Sequence, residues 1–318
     1  MRPGDEPGLL QLLQAAFDGW PKVPVAVSPL EHLRWKLSSH PNAYRYAIVA
    51  EAEGQLIAIR QFFIERIKAR DRVWLLRNGF DSAVHPDWQA RGVMGAIRTF
   101  RVDRFTDEID LHIGYGNNPA VLKLRKREEI RYFSNPVDVL TLDLPASFPA
   151  SPPVWQIAGA GRFDERFDSF YAEASQQFDL IIERSVQYLN WRYADPRAGV
   201  FHIRIAEEEG CVLGYAVLNV ANGRASIADL LALPGRIDVA ASLVDDAIGY
   251  AIESGATTLE CWCQTRHQYK DVLLARSFRP KRTIRLTYLP LRTARAEVEF
   301  LASPKAAVHF ALGDTDLV

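Results

Sequence analysis

The sequence predicts an α/β protein in which one fold is built twice, and three observations carry that prediction. The chain has 318 residues, more than a single core of common size organises. The segment from Glu31 matches the segment from Gln187 without gaps. Leu33, Trp35 and Lys36 meet Leu189, Trp191 and Arg192, and Ala50, Glu51, Glu53 and Gly54 meet Ala206, Glu207, Glu209 and Gly210, all 156 positions later. The register resumes 148 positions apart, where Asp81, Pro86, Leu111 and Arg131 meet Asp229, Pro234, Leu259 and Arg279. The difference falls where the first copy has a longer charged hairpin, IERIKARDR, and hairpin tips tolerate length changes. Finally, the Pro-rich stretch Pro145–Pro153 separates the copies, so the expected domains are residues 1–145 and 153–318.

Each element of the first copy follows from local pattern. Residues 6–18 carry Leu9, Leu10, Leu13, Ala16 and Phe17 at helical spacing. Pro29 stands near the start of a second helix reaching about Ser39. Residues 45–52 and 55–66 read as strands around the Glu53-Gly54 turn, and 72–84 as a third. The loop Pro86–Gly95 leads into a helix to about Phe105. A strand at 109–115, a helix at 119–127 and a strand at 131–142 complete the copy, and the order repeats from about residue 163.

Composition narrows the function classes. Hydrophobic residues make up 48% and charged residues 24%, the balance of a globular protein rather than a disordered one. Lys+Arg 38 against Asp+Glu 39 leaves a net charge of −1, which argues against a nucleic-acid partner. The longest apolar run, Val239–Ile252, is broken by Asp245 and Asp246, and the opening MRPGDEPGLL lacks a signal-peptide core. The expectation is a cytoplasmic protein with reduced thiols, no membrane partner, and a monomeric or homodimeric state. Cys261-Trp262-Cys263 has no second cysteine pair to complete a zinc site. On a strand both cysteines face one side as small core residues and Trp262 faces the other, so no metal is expected.

The segment from Phe80 to Phe100 is the candidate for chemistry. It runs strand, His-Pro, polar loop, helix. Gly92 removes a Cβ where backbone must approach a ligand, Arg91 adds positive charge, and the following helix turns unpaired N–H groups and its positive end toward the loop. Such a loop suits a pyrophosphate, although an ordinary strand-to-helix turn shares these features.

The run Val84-His85-Pro86-Asp87-Trp88-Gln89-Ala90-Arg91-Gly92-Val93-Met94-Gly95 resembles the acyl-CoA loop of the GNAT N-acetyltransferases, in which V-x-P precedes [QR]-x-x-G-x-[GA]. Gln89 and Gly92 fit that pattern. Met94 stands where a second small residue is usual, with Gly95 one place later. The resemblance covers nearly all of residues 5–142. It implies two tandem GNAT-like domains of the α/β (α+β) class, each a mixed, mostly antiparallel twisted sheet flanked by helices. It also implies acetyl-CoA or another acyl-CoA as cosubstrate, held by Gln89, Ala90, Arg91, Gly92, Val93, Met94 and Gly95. Backbone N–H groups near Ala83 and Val84 would bind the thioester carbonyl, and Asn117 and Asn118 would lie near the pantetheine arm. Lys123, Arg125, Lys126 and Arg127 read as a solvated helix face or as a contact to the CoA 3′-phosphate. The second copy has Pro234-Gly235-Arg236-Ile237-Asp238 at the loop, lacks Gln-x-x-Gly, and places an aspartate where a phosphate would sit.

Acyl transfer to an amine needs a base, an oxyanion donor and a proton for the leaving thiolate. Asp81 and His112 are the candidate bases. Asp81 recurs as Asp229 in the copy without the loop, which also reads as service to the fold. His112 shares a strand face with Asp110 and reads alternatively as a half-buried sheet histidine. The tyrosine that serves many family members as acid is replaced by Arg125, leaving Tyr115, Tyr132 or solvent. The tail HFALGDTDLV places Asp314 and Asp316 after Gly313; near a cleft these would suit a cationic acceptor, and otherwise they belong to a loose tail. The resulting expectation is an N-acyltransferase acting on a small-molecule amine such as an amino sugar or amino acid. A GNAT-fold peptidyltransferase using aminoacyl-tRNA and a non-catalytic ligand-binding module are the alternatives.

Overall fold

The computed structural model describes residues 1–42, 45–100, 108–115, 130–145 and 154–317. Helix α1 (Glu6–Ala16) buries Leu9, Leu12 and Leu13, the stripe its spacing predicts. In α2 (Pro29–Ser38) the Ser28 hydroxyl accepts from Glu31 N–H, the Glu31 carboxylate accepts from Ser28 N–H, and Pro29 fills the first turn, where no N–H is needed. Strands β1 (Arg45–Ala52), β2 (Gln55–Ala69) and β3 (Arg72–Val84) form an antiparallel meander. Helix α3 (Val93–Thr99), β4 (Leu111–Gly114), β5 (Arg131–Tyr132) and β6 (Val137–Asp143) follow.

The second copy runs through β7 (Ile157–Ala160), α4 (Arg166–Ala174), β8 (Leu180–Ile182) and α5 (Val186–Leu189), which continues as a π-turn over Asn190–Ala194. It then forms β9 (His202–Glu208), β10 (Cys211–Ala221), β11 (Arg224–Ala232), α6 (Ile237–Glu253), β12 (Thr258–Gln264), α7 (Lys270–Ala275) and β13 (Arg279–Ile284). Strands β14 (Thr287–Pro290) and β15 (Val308–His309) come last. The change of offset in the repeat has a physical source. β2 and β3 have 15 and 13 residues against 11 and 9 in β10 and β11, four more on each arm. The extra length of β2 pairs Ile67–Ala69 with β8, so the longer hairpin reaches into the second half.

Among the described residues there are two mixed sheets, ordered β15-β8-β2-β3-β4-β14-β5, with β1 also on β2, and β13-β6-β12-β11-β10-β9-β7. Most pairings are antiparallel, with parallel pairs at β3/β4, β11/β12 and β8/β15. The sheets exchange strands. β6, from the first copy, lies between β12 and β13 of the second sheet, and β14, from the second copy, lies between β4 and β5 of the first. This corrects the expectation of one strand at 131–142. The chain turns at Ser134–Pro136 and sends its two parts to different sheets. The expected helix at 119–127, Asn117, Asn118, and the basic group Lys123, Arg125, Lys126 and Arg127 lie outside the described residues.

Repeat-related residues also meet each other. Trp35 of α2 and Trp191 of the π-turn stack with ring centroids 4.8 Å apart at 20°. Equivalent residues in contact mark a local two-fold axis between the copies, like that of an isologous dimer. Cys261 and Cys263 lie in the core between the second sheet and α6, where burial pushes the Cys261 thiol up to about 12, while Trp262 faces the core shared by both halves. Among the described residues no helix is long and apolar enough to cross a membrane.

Glu65, on β2, supplies a pH test. It is buried and accepts a hydrogen bond from Asn78 Nδ2 at 3.0 Å. Burial first, and Asp314 second, push it from 4.5 to about 8. Between those values the folded chain holds a proton that the unfolded chain releases, so stability falls as pH rises across that window. Urea midpoints should decline from pH 5 to pH 8, by an amount worth a few kcal/mol at roughly 1.4 kcal/mol per pH unit. Glu65→Gln, which keeps an acceptor for Asn78, should flatten the slope; an unchanged slope would assign it to other groups.

Candidate functional site

Parallel pairing of β3 with β4 ends at Asn78 and Ile113, and beyond that point the strands part. A cavity of about 560 Å³ opens there, bordered by β3, β4, the start of α3, and the segment Phe17–Val23 with α2. On β3 a bulge sets two residues, Asp81 and Ser82, against Arg60 of β2. Asp81 takes φ 36°, a left-handed conformation uncommon for a residue with a side chain. Past the bulge, His85 N–H donates to Ile57 O. The two-residue alternation of an antiparallel ladder therefore turns Ala83 toward β2 and Val84 away from it. Of the two expected oxyanion donors, Val84 N–H points away from β2, and neither residue lines the cavity.

The loop begins with a single turn, Pro86–Trp88, capped by His85 Nδ1, which accepts from Asp87 N–H. Gln89 Nε2 donates to Val84 O at 3.3 Å, so its side chain folds back on the loop. Ala90 (φ 60°) and Gly92 (φ 81°) are both left-handed. Among the described residues a Cβ on Gly92 would meet nothing within 4 Å, so the glycine answers to backbone conformation. Arg91 lies over the Trp88 ring at 5.2 Å. Val93, Met94 and Gly95 form the first turn of α3, and Met94 and Arg98 line the cavity. This backbone fits a bound pyrophosphate: it is exposed, turned by two left-handed residues, and continuous with the cavity.

His112 of β4 lines the cavity. Its Nδ1 lies 2.8 Å from Arg77 O, so Nδ1 carries a proton and donates. Asp110 does not join it: that carboxylate precedes the strand, accepts from Leu75 N–H, and pairs with Arg292. Asp81 pairs with Lys36 Nζ at 2.6 Å, with both side chains nearly buried. Burial raises the Asp81 carboxyl above its ordinary range against the pull of Lys36, and neighbouring Asp316 raises it further. Tyr115 donates to Asp316 Oδ1 at 2.8 Å; burial and that carboxylate raise its phenol well above the usual value. Tyr132, on edge strand β5, is about half exposed and does not line the cavity.

Sequence reasoning missed Lys36 and Trp20. Lys36 Nζ lies 5.6 Å from the Trp20 ring and 5.5 Å from the Phe80 ring. The available signal was Arg192, a cation at the same place in the other copy. The tail is also better ordered than a loose end. Gly313 passes Tyr193 and Ala228 so closely that a Cβ would stand 2.1 Å from Tyr193 Oη. Arg192 donates to Gly313 O and Thr315 O, and Asp314 pairs with Arg184 at 2.7 Å, away from the cleft. Asp316 and Leu317 reach the cavity.

The equivalent cleft of the second copy is shut. β11 and β12 part after Ile227 and Cys261, but only about 20 Å³ remains there. The tail fills the rest: Gln264 Nε2 donates to Phe310 O at 2.9 Å, and His309 Nε2 lies 3.1 Å from Asp229 Oδ1. At the loop, Asp238 accepts from Trp155 Nε1 at 2.7 Å and pairs with Arg236, which also stacks on Trp155.

No family model and no curated protein matches the chain. Solved structures do. A conserved protein of unknown function from Enterococcus faecalis V583, described as a probable N-acyltransferase, is 13% identical with a TM-score of 0.69, covering 92% of this chain and 72% of that one. A GCN5-related N-acetyltransferase from Kribbella flavida is 14% identical with a TM-score of 0.66 (92% and 70% covered). A tandem GNAT protein from the clavulanic acid biosynthesis pathway is 13% identical with a TM-score of 0.62 (91% and 95% covered). The chain therefore has the fold of the GCN5-related N-acetyltransferases, in its tandem form.

Proposed function

We propose that the protein is an N-acyltransferase that moves an acetyl or other acyl group from acyl-CoA to a primary amine of a small molecule. One observation carries the reading: the first copy keeps a cleft of about 560 Å³ open beside its loop, whereas about 20 Å³ remains in the second copy, whose loop carries Asp238 paired with Arg236. Gln89–Gly95 would hold the pyrophosphate by backbone N–H groups, and CoA supplies the thioester. Val84 N–H, turned away from β2, would donate to the carbonyl oxygen as charge develops there. In this reading His112, on the cavity wall with Nδ1 donating to Arg77 O, would take the amine proton. Asp81, held on Lys36, sets the charge of the wall. The amine nitrogen attacks the thioester carbon, the C–S bond breaks, and the thiolate is protonated by solvent or a cleft group.

Calorimetry with acetyl-CoA should find about one site per chain, lost in Gly92→Glu, and a thiol-release assay across an amine panel should show turnover. Two equivalent sites, or no thiol release with any amine, would overturn the reading. Arg91, exposed on the loop, should act as an accessory. A charge-assisted hydrogen bond there is worth at most about 1.5–3 kcal/mol. Arg91→Ala should raise KM for acyl-CoA roughly 10- to 100-fold with little change in kcat. Loss of turnover at saturating acyl-CoA would place Arg91 in the chemical step instead.

A further inference from the structure

We infer that Asp316, on the tail that closes the second domain's cleft, is a positioning residue of the first domain's cleft, holding Asp81 and Tyr115 in place. The inference concerns the wall of the cleft in the acyl-transfer reading, and its kinetic test rests on that reading. The Asp316 carboxylate accepts from two separate walls: Asp81 N–H on β3 at 3.1 Å through Oδ2, and the Tyr115 hydroxyl beyond β4 at 2.8 Å through Oδ1. Asp316 N–H also donates to Tyr115 Oη at 3.3 Å, so the two residues are joined twice.

Each bond answers a local need. Asp81 sits at the bulge, where it has no register partner in β2 and only the Gln61 side chain reaches its carbonyl, and its backbone is left-handed. Asp316 accepts the N–H that the bulge leaves over, and so fixes the residue whose side chain binds Lys36. Tyr115 follows the last residue of β4, where the strands have parted, and Asp316 bridges the gap between them. The carboxylate is itself firmly placed. Arg192 grips the carbonyls of Gly313 and Thr315, and Asn78 Nδ2 donates to Asp314 O at 2.9 Å.

With the full chain, Asp316→Asn keeps the size of the side chain but replaces one of the two acceptor oxygens by an NH2 donor, so one of the two donors loses its acceptor and the other keeps a neutral one. It should lower kcat about 10- to 100-fold, the loss expected from misplacing groups at a reacting centre. KM for acyl-CoA should stay within about two-fold, because the loop is untouched. Tyr115→Phe should lower kcat similarly, and the double variant should be no worse than the poorer single one, since both remove the same link. Asp316→Glu should recover part of kcat. Unchanged kcat in Asp316→Asn, or single losses that multiply, would overturn the inference. If the wild-type chain releases no thiol with any amine, the acyl-transfer reading fails, and the inference is read by NMR of ring-labelled tyrosine. The Tyr115 signal, assigned by its loss in Tyr115→Phe, should shift in Asp316→Asn; a signal that stays in place overturns it without reference to turnover.

Discussion

A fragment ending at residue 145 is expected not to fold as a cooperative monomer. Among the described residues β6 pairs only with strands of the other half, and β4 has β14 as its outer neighbour. Cutting between the copies strips β8, β14 and β15 from the first sheet and leaves β6 without a partner. Val137, Val139, Leu140 and Leu142 of β6 are all 4% exposed or less. Full burial of such side chains contributes about 1.5–3 kcal/mol each, so four represent roughly 6–12 kcal/mol, comparable to the whole stability of a domain. The fragment should aggregate or show a broad urea transition by circular dichroism. Co-expression with residues 154–318 should restore a soluble complex. A monomeric fragment with a sharp transition would show that the exchange is dispensable.

Arg184→Leu should be the most destabilising single substitution proposed here. Arg184 is fully buried between Asp229, 2.8 Å from Nε, and Asp314, 2.7 Å from Nη2, and its Nη1 donates to Ile182 O. Burial alone would raise Asp229, but Arg184, and then His309, outweigh it and hold the carboxyl below the ordinary range. Removing the guanidinium leaves two buried carboxylates with their main cation gone. Breaking a buried pair on one side costs about 3–5 kcal/mol. The chain should unfold at clearly lower urea, and pairing Arg184→Leu with Asp229→Asn should be milder than Arg184→Leu alone, a non-additivity expected of partners. Arg184→Lys should fall between, because one ammonium cannot reproduce the fork. A midpoint within experimental scatter of wild type would mean that the acids find other partners or protons.

Much of this architecture was readable in the residues because the repeat compares the chain with itself. Asp81 and Asp229 occupy equivalent strands, and the change of offset maps onto a hairpin lengthened equally on both arms. The contrast between Gln89-x-x-Gly92 and Pro234-Gly235-Arg236 agrees with one open and one shut cleft. The strand exchange was not readable, because an apolar strand such as Val137–Leu142 has the same pattern whichever sheet receives it. Lys36 was missed because a lysine on a helix ordinarily faces solvent, and its partner lies on a strand 45 residues away. The link between Asp81 and Asp316 spans 235 positions, and no local periodicity reports a contact of that range.

The exchange also has a consequence in time. A chain emerges from the ribosome with its N-terminal half first, and domains ordinarily fold in that order. Here the first sheet lacks its outer neighbour for β4 until Thr287–Pro290 has been made, and the cleft lacks one of its anchors until Asp316 follows. The half that is synthesised first is therefore finished last. Such long-range pairing slows folding and leaves apolar edges uncovered meanwhile, so the growing chain is a natural client for chaperones. It also means that a premature stop deep in the second half removes parts of the cleft in the first.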